Sequence, residues 1–213
     1  MNLLIDPLPT SVTIRGQDWP INSDFYAGVL FELLMQDPAI DNTEKVRQAL
    51  ALYYPDIPRD MQAAADAMLW FYRCGEDTPK SKSGNGSRAS FKKAYCFDQD
   101  ADLIFAAFYG QYHIDLSEEE GLHWWKFRAL FAGLSSECEI KKIMGYRTAD
   151  LSGMNKAQKK HYEKMRKIYA LQNKRSVESS VSLAARNQRM KDYVARRFAE
   201  VEATTQAKAG GQN

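Results

Sequence analysis

The spacing of apolar residues changes several times along this chain, and each change marks an element. Val12 and Ile14 alternate with polar neighbours, Gly16 stands where a tight turn needs it, and Trp19 and Ile21 resume beyond. Period-two spacing about a turn residue predicts a small β-hairpin, with Pro20 on an edge because proline cannot donate to a ladder. Two strands alone are marginal in water, so the hairpin must lie on a helical core.

From Asp24 the period lengthens. Phe25, Val29, Leu30, Leu33 and Leu34 recur at helical spacing after a capping aspartate, and Pro38 stops the run. Asp41 or Asn42 opens a second helix that ends before Pro55. Pro58 and Asp60 reopen the pattern through Arg73, with Gly75 as the C-terminal stop. Residues 76–90 hold glycines, a proline and serines with nothing to bury, which predicts a mobile surface loop.

The densest apolar stretch runs from Phe97 to Arg147. A helix is expected from about Asp100 to Tyr112. A second is expected from Glu118 to Leu134, capped by Asp115 or Ser117, with Glu118, Glu119 and Glu120 in its first turn. Trp124, Phe127, Leu130, Phe131 and Leu134 occupy one side, and Leu122, Trp125 and Ala129 the other. A helix apolar nearly all round is a buried one, so this segment is the expected centre on which the rest packs. A short helix capped near Ser135 or Ser136 ends at Gly145–Arg147.

Residues 155–173 then form a basic amphipathic pattern with Tyr162, Met165, Ile168 and Tyr169 on one side. A last, long helix carries Val177, Val181, Ala184, Tyr193, Val194, Phe198 and Val201 at near-helical spacing. The pattern as a whole predicts a mainly α protein: a multi-helix bundle with a small N-terminal β-hairpin and a long basic C-terminal helix. Residues 1–153 form the expected core domain, and 154–213 a basic helical extension with a frayed end.

Charge sharpens that division. Residues 1–153 hold 15 Lys and Arg against 22 Asp and Glu, whereas residues 154–213 hold 14 against 5. Such asymmetry describes either an acidic body carrying a basic helix or an arm that binds a partner or nucleic acid. The three cysteines, Cys74, Cys96 and Cys138, are odd in number and widely spaced, which fits free thiols in a reducing compartment. No apolar run reaches the roughly 20 residues of a membrane span, and no signal-peptide pattern opens the chain.

The chain offers little for catalysis. Asp98, Asp100 and Asp102 resemble half of a calcium loop, but Leu103 and Tyr109 stand where a glycine and a bidentate glutamate are required. Helix capping is the better reading of these carboxylates. His113, His123 and His161 are far apart and lack metal-ligand spacing. His123 reads as a hydrogen-bonded core histidine. No nucleophile elbow or phosphate-binding glycine motif is present, and Ser83–Gly86 lacks the lysine and helix of a phosphate cradle. No catalytic, metal or cofactor site is expected. The candidate partner-binding residues are Trp125, which on the side opposite Trp124 is expected to touch a partner or a second layer of helices, and Val177, Val181, Tyr193, Val194, Phe198 and Val201 in the tail. The aromatics of the basic region sit at helical spacing, which suits packing rather than base stacking, so nucleic acid is not the expected partner.

Several segments carry a resemblance: 2–25, 49–58, WFYRCG at 70–75, 95–116, and LHWWKFRALFAGLSSECEIKKIMGYR at 122–147. They resemble a family of tailed-phage and prophage proteins of Gram-positive bacteria, the Gp15-type family, whose genes lie just upstream of the tape measure gene. The resemblance covers about residues 1–173. It implies a non-enzymatic tail-assembly chaperone that binds the tape measure protein in the host cytoplasm and is absent from the mature virion. The tail tube protein and a second copy of the chain are further candidate partners. A structural component of the tail or head–tail junction is the alternative.

Overall fold

The computed structural model describes residues 2–76 and 93–172, together with Asp192, Arg196 and Ala199, which are helical and exposed. The expected loop at 76–90 therefore lies almost wholly outside the described residues, and so does nearly all of the expected long tail helix. Two strands and seven helices lie between Ser11 and Ile168, and the protein is mainly α. The chain divides into two compact units, one of residues 1–77 with 174–213 and one of residues 78–173.

The first unit opens with the hairpin. β1 (Ser11–Ile14) pairs antiparallel with β2 (Gln17–Pro20), placing Val12 opposite Trp19 and Ile14 opposite Gln17. Arg15 and Gly16 form the two-residue loop with φ of 50° and 81°. Positive φ at both positions is what the right-handed twist of a hairpin requires. Val12 and Ile14 are buried, and β1 packs on α3 (Met61–Tyr72). Arg15 Nε also donates to Asp60 Oδ2 at 2.6 Å, while Asp60 Oδ1 caps α3 by accepting from the Ala63 amide at 3.1 Å. The Ala63 amide foremost, and Arg15 beside it, hold the Asp60 carboxyl below the usual carboxylate range.

α1 (Phe25–Gln36) and α2 (Asn42–Tyr53) start at the expected caps, Asp24 and Asp41. The buried line of α1 is Phe25, Ala27, Gly28, Phe31 and Leu34. Val29, Leu30 and Leu33, expected on the core face, are half-buried instead. The rotation lets Phe31 reach Tyr72 and Tyr53, edge to face, at centroid distances of 4.7 and 5.8 Å. Tyr53 meets Phe71 at 6.2 Å. Such edge-to-face pairs align ring edges with ring faces and add to the area buried.

Two buried phenols make this unit sensitive to alkali. The Tyr54 hydroxyl donates to the Ala64 carbonyl at 2.9 Å, and burial pushes its pKa up to about 12. Burial foremost, with Glu32 and Cys74 adding to it, drives the Tyr53 phenol upward as well. Both groups hold their proton more tightly folded than unfolded. The stability they contribute is whole below the unfolded tyrosine value of about 10 and is lost as pH rises through the folded value. Thermal melts should therefore show a falling melting temperature from about pH 10 to about pH 12, and Tyr54→Phe should flatten part of the fall.

The second unit is built on α5 (Trp124–Ala132), where Trp124, Trp125, Phe127 and Phe131 are all buried. α4 (Ala101–Tyr112) lays Phe108 flat on Phe127 at 5.0 Å, and Trp124 stacks on the same ring at 5.6 Å. Phe97 and Tyr95 close the cluster over Phe127 and Phe131. Leu134, Ile140 and Ile143 complete the core, the last two from α6 (Glu139–Thr148). α7 (Lys156–Ile168) packs on α6 and buries no residue fully.

The central helix is shorter than its pattern predicts. Gly121 takes φ of 82°, which a helix cannot include, so Glu118, Glu119 and Glu120 lie in the connection before α5 and not in its first turn. Asp115 caps a local turn there, accepting from the Ser117 amide at 2.9 Å. The cap of α5 is His123, whose Nδ1 accepts from the Trp125 amide at 3.0 Å. His123 is 6% exposed and hydrogen-bonded, as expected of a core histidine, but it takes the capping position expected of Asp115 or Ser117. α6 likewise starts later than expected, at Cys138, because Ser135 accepts from the Glu137 amide in the preceding turn.

Candidate partner-binding surfaces

Polar chemistry in the second unit converges on Arg147. Its guanidinium is 8% exposed and faces Asp100, which is 3% exposed. Nη1 donates to Asp100 Oδ2 at 2.7 Å and Nη2 to Oδ1 at 2.9 Å, a two-pronged pairing that fixes both planes. Asp100 Oδ2 also accepts from the Cys96 amide at 2.8 Å. The remaining Arg147 donors reach main chain: Nη1 to the Ala94 carbonyl at 3.0 Å and Nε to the Tyr169 carbonyl at 2.7 Å. One side chain thus joins the strand of chain before α4, the end of α6 and the exit of α7. Asp100 occupies the cap position of α4 but makes no side-chain capping bond, so the expected capping role is corrected: the carboxylate is spent on Arg147.

Further contacts hold the α7 exit in place. Gln99 and Gln172 exchange two bonds: the Gln99 Nε2 donates to the Gln172 carbonyl at 2.7 Å, and the Gln172 amide donates to Gln99 Oε1 at 2.8 Å. Arg166 caps the C-terminus of α6 by donating to the carbonyls of Ala149 at 2.7 Å and Tyr146 at 3.4 Å. Tyr146 stacks on Tyr169 at 6.0 Å and meets Tyr162 edge-on at 5.6 Å. α7 itself begins with a reciprocal capping box between Asn155 and Gln158. Together these contacts orient the polypeptide as it leaves residue 172.

The expected apolar side of α7 is only partly confirmed. Tyr162, Met165 and Tyr169 are half-buried against α6, whereas Ile168 is 58% exposed. The opposite side is a field of lysines: Lys156, Lys159, Lys160, Lys164 and Lys167 are all exposed. In the first unit, Leu3, Leu4 and Ile5 stand out on a turn closed by the Ile5 and Asp6 amides donating to the Asn2 carbonyl. Leu4 is 93% and Ile5 79% exposed.

Of the expected partner-binding residues, Trp125 is 3% exposed. Of the two expected surroundings, a partner or a second layer of helices, this burial fits the second: the indole is packed within the unit, while Lys126, Ala129 and Ala132 of α5 are exposed. Val177, Val181, Tyr193, Val194, Phe198 and Val201 lie outside the described residues. Arg147 and Asp100 were missed as a pair, although a signal existed. Arg147 follows Ile140 and Ile143 at helical spacing, so a charge stands on an apolar face and requires a buried counter-charge.

The bacteriophage Gp15 protein family matches residues 4–171. The chain belongs to that family. The Gp15 match begins inside the exposed Leu3–Ile5 turn and ends within the Gln99–Gln172 clamp, so it takes in every strand and helix from β1 to α7. The tail positions from Val177 onward lie outside it. No curated protein and no solved structure matches the chain.

Proposed function

We propose that this chain is a tail-assembly chaperone of a tailed phage, without enzymatic activity, that binds the tape measure protein while the tail is built. Membership of the Gp15 family supports a structural or assembly role in a phage. The observation that carries the finer reading is the apolar surface left outside the two cores. Leu4 and Ile5 are almost wholly exposed in the first unit, and Ile168 and Tyr109 are more than half exposed in the second. A protein that shields a long, apolar, helical partner needs such surface, because contact area with helix faces is what competes with aggregation.

On this reading the tail residues Val177, Val181, Tyr193, Val194, Phe198 and Val201 form a partner-binding helix that starts from the anchored exit at residue 172. An isolated helix of this kind gains little from propensity alone and acquires its stability from the surface it packs on. The protein acts in the host cytoplasm and is left out of the finished particle, with the tail tube protein as a secondary partner. Co-expression with the tape measure protein tests the reading, with solubility of that protein as the readout. Mass spectrometry of purified particles separates it from a structural role: a chaperone is absent, whereas a tail or head–tail component is present at fixed copy number.

A further inference from the structure

The outward side of α7 has properties that the fold does not use. Lys156, Lys159, Lys160, Lys164 and Lys167 are exposed, and only Glu163 interrupts them. None of the five enters an ion pair, although four such pairs occur among the described residues. Five like charges within 13 residues repel one another and lower the stability of a short helix unless something neutralises them. Beside the lysines, at the C-terminal end of the helix, Ile168 is 58% exposed.

The composition of this face decides among polyanions. All five cations are lysines, and the one arginine of α7, Arg166, is committed to the carbonyls of α6. The aromatics of α7, Tyr162 and Tyr169, are turned toward Tyr146 and cannot stack on bases. A nucleic-acid surface of this size would be expected to show planar donors and exposed rings. Flexible point charges instead suit carboxylates spread over a protein surface. The chain supplies such a surface itself: residues 1–153 carry an excess of seven acidic side chains, 22 against 15. Their densest exposed stretch is the connection before α5, where Glu118 and Glu120 are exposed and Asp115 and Glu119 half-exposed.

We propose that the lysine face of α7 docks a second copy of this chain, through the carboxylates of the Asp115–Glu120 connection. Ile168, at the C-terminal end of the helix, adds apolar area at the edge of the contact. The two surfaces differ, so the contact is heterologous: it either closes by symmetry or propagates. The inference concerns the purified protein alone and stands apart from the tape measure reading, so either can fail without the other.

Sedimentation velocity of the full chain at about 50 mM and about 500 mM salt is the test, since exposed charge pairs are strongly screened at the higher value. The proposal expects association at low salt and a monomer at high salt. The variant Lys159→Glu/Lys160→Glu/Lys164→Glu should be monomeric at both, with an unchanged melting temperature. Mixing it with Glu118→Lys/Glu119→Lys/Glu120→Lys should restore a mixed assembly, which simple loss of folding in either variant could not do. A wild type that is monomeric at low salt overturns the proposal. So does association that survives the lysine reversal, or association that disappears on nuclease treatment, which would make nucleic acid the occupant.

Discussion

Replacing Arg147 by alanine should destabilise the second unit by about 3–5 kcal/mol, the usual result of stranding one member of a buried ion pair. The expectation follows from the geometry: Asp100 is 3% exposed and would keep the bond from the Cys96 amide but lose both guanidinium donors. The carbonyls of Ala94 and Tyr169 lose a donor at the same time. Asp100→Ala should cost a similar amount by stranding the guanidinium. The double variant should cost much less than the sum, because the second removal no longer leaves an unpaired charge. Arg147→Lys should rescue little, since an ammonium cannot serve both carboxylate oxygens and two carbonyls in one plane. Urea denaturation followed by fluorescence measures all four; Trp124 and Trp125 both lie in this unit. Single variants that cost under about 1 kcal/mol would show that the pair is dispensable.

Trp124→Ala should cost about 3–5 kcal/mol, in the range for removing a fully buried aromatic. The indole is 0% exposed, stacks on Phe127 at 5.6 Å and lies under the Arg128 guanidinium at 5.6 Å. Phe127 in turn stacks on both Phe108 and Phe131, so a void at Trp124 opens beside the ring that the other aromatics share. A helix of nine residues cannot readily shift to fill it, because all four of its aromatic residues are already packed. Loss of soluble expression, or a large drop in melting temperature, is the expected outcome. A variant that melts like the wild type would contradict the central place given to α5.

The regular elements were legible because their signals are local. Asp24, Asp41 and Asp60 cap α1, α2 and α3 as the sequence predicts, and Arg15–Gly16 makes the tight turn that the alternation about Gly16 demands. The ends of α5 were harder. Glutamates in a first turn are a favourable pattern, and that pattern concealed the break at Gly121, which only the backbone reveals. The rotation of α1 was not legible either. Leu30 and Leu33 are as apolar as Phe31, and the choice between them rests on Tyr53 and Tyr72, which arrive from other helices. Trp125 was left between a partner and a second layer of helices because a wheel shows which side a residue is on but not what covers that side.

The surfaces follow the same logic. Basic amphipathicity identified α7, but the division of labour between Arg166, which caps α6, and the five lysines, which cap nothing, depends on the packing angle. The Asp100–Arg147 pair spans 47 residues, and no local rule links its members. Only the misplaced charge beside Ile143 marked one end of it.

Co-expression of this chain with the tape measure protein of its phage tests the functional account most directly. The full chain should keep that protein in the soluble fraction and co-purify with it. A chain ending at Asn173, which retains every strand and helix from β1 to α7, should stay folded yet fail to do so. A tape measure protein that is equally insoluble with and without the full chain would contradict the account.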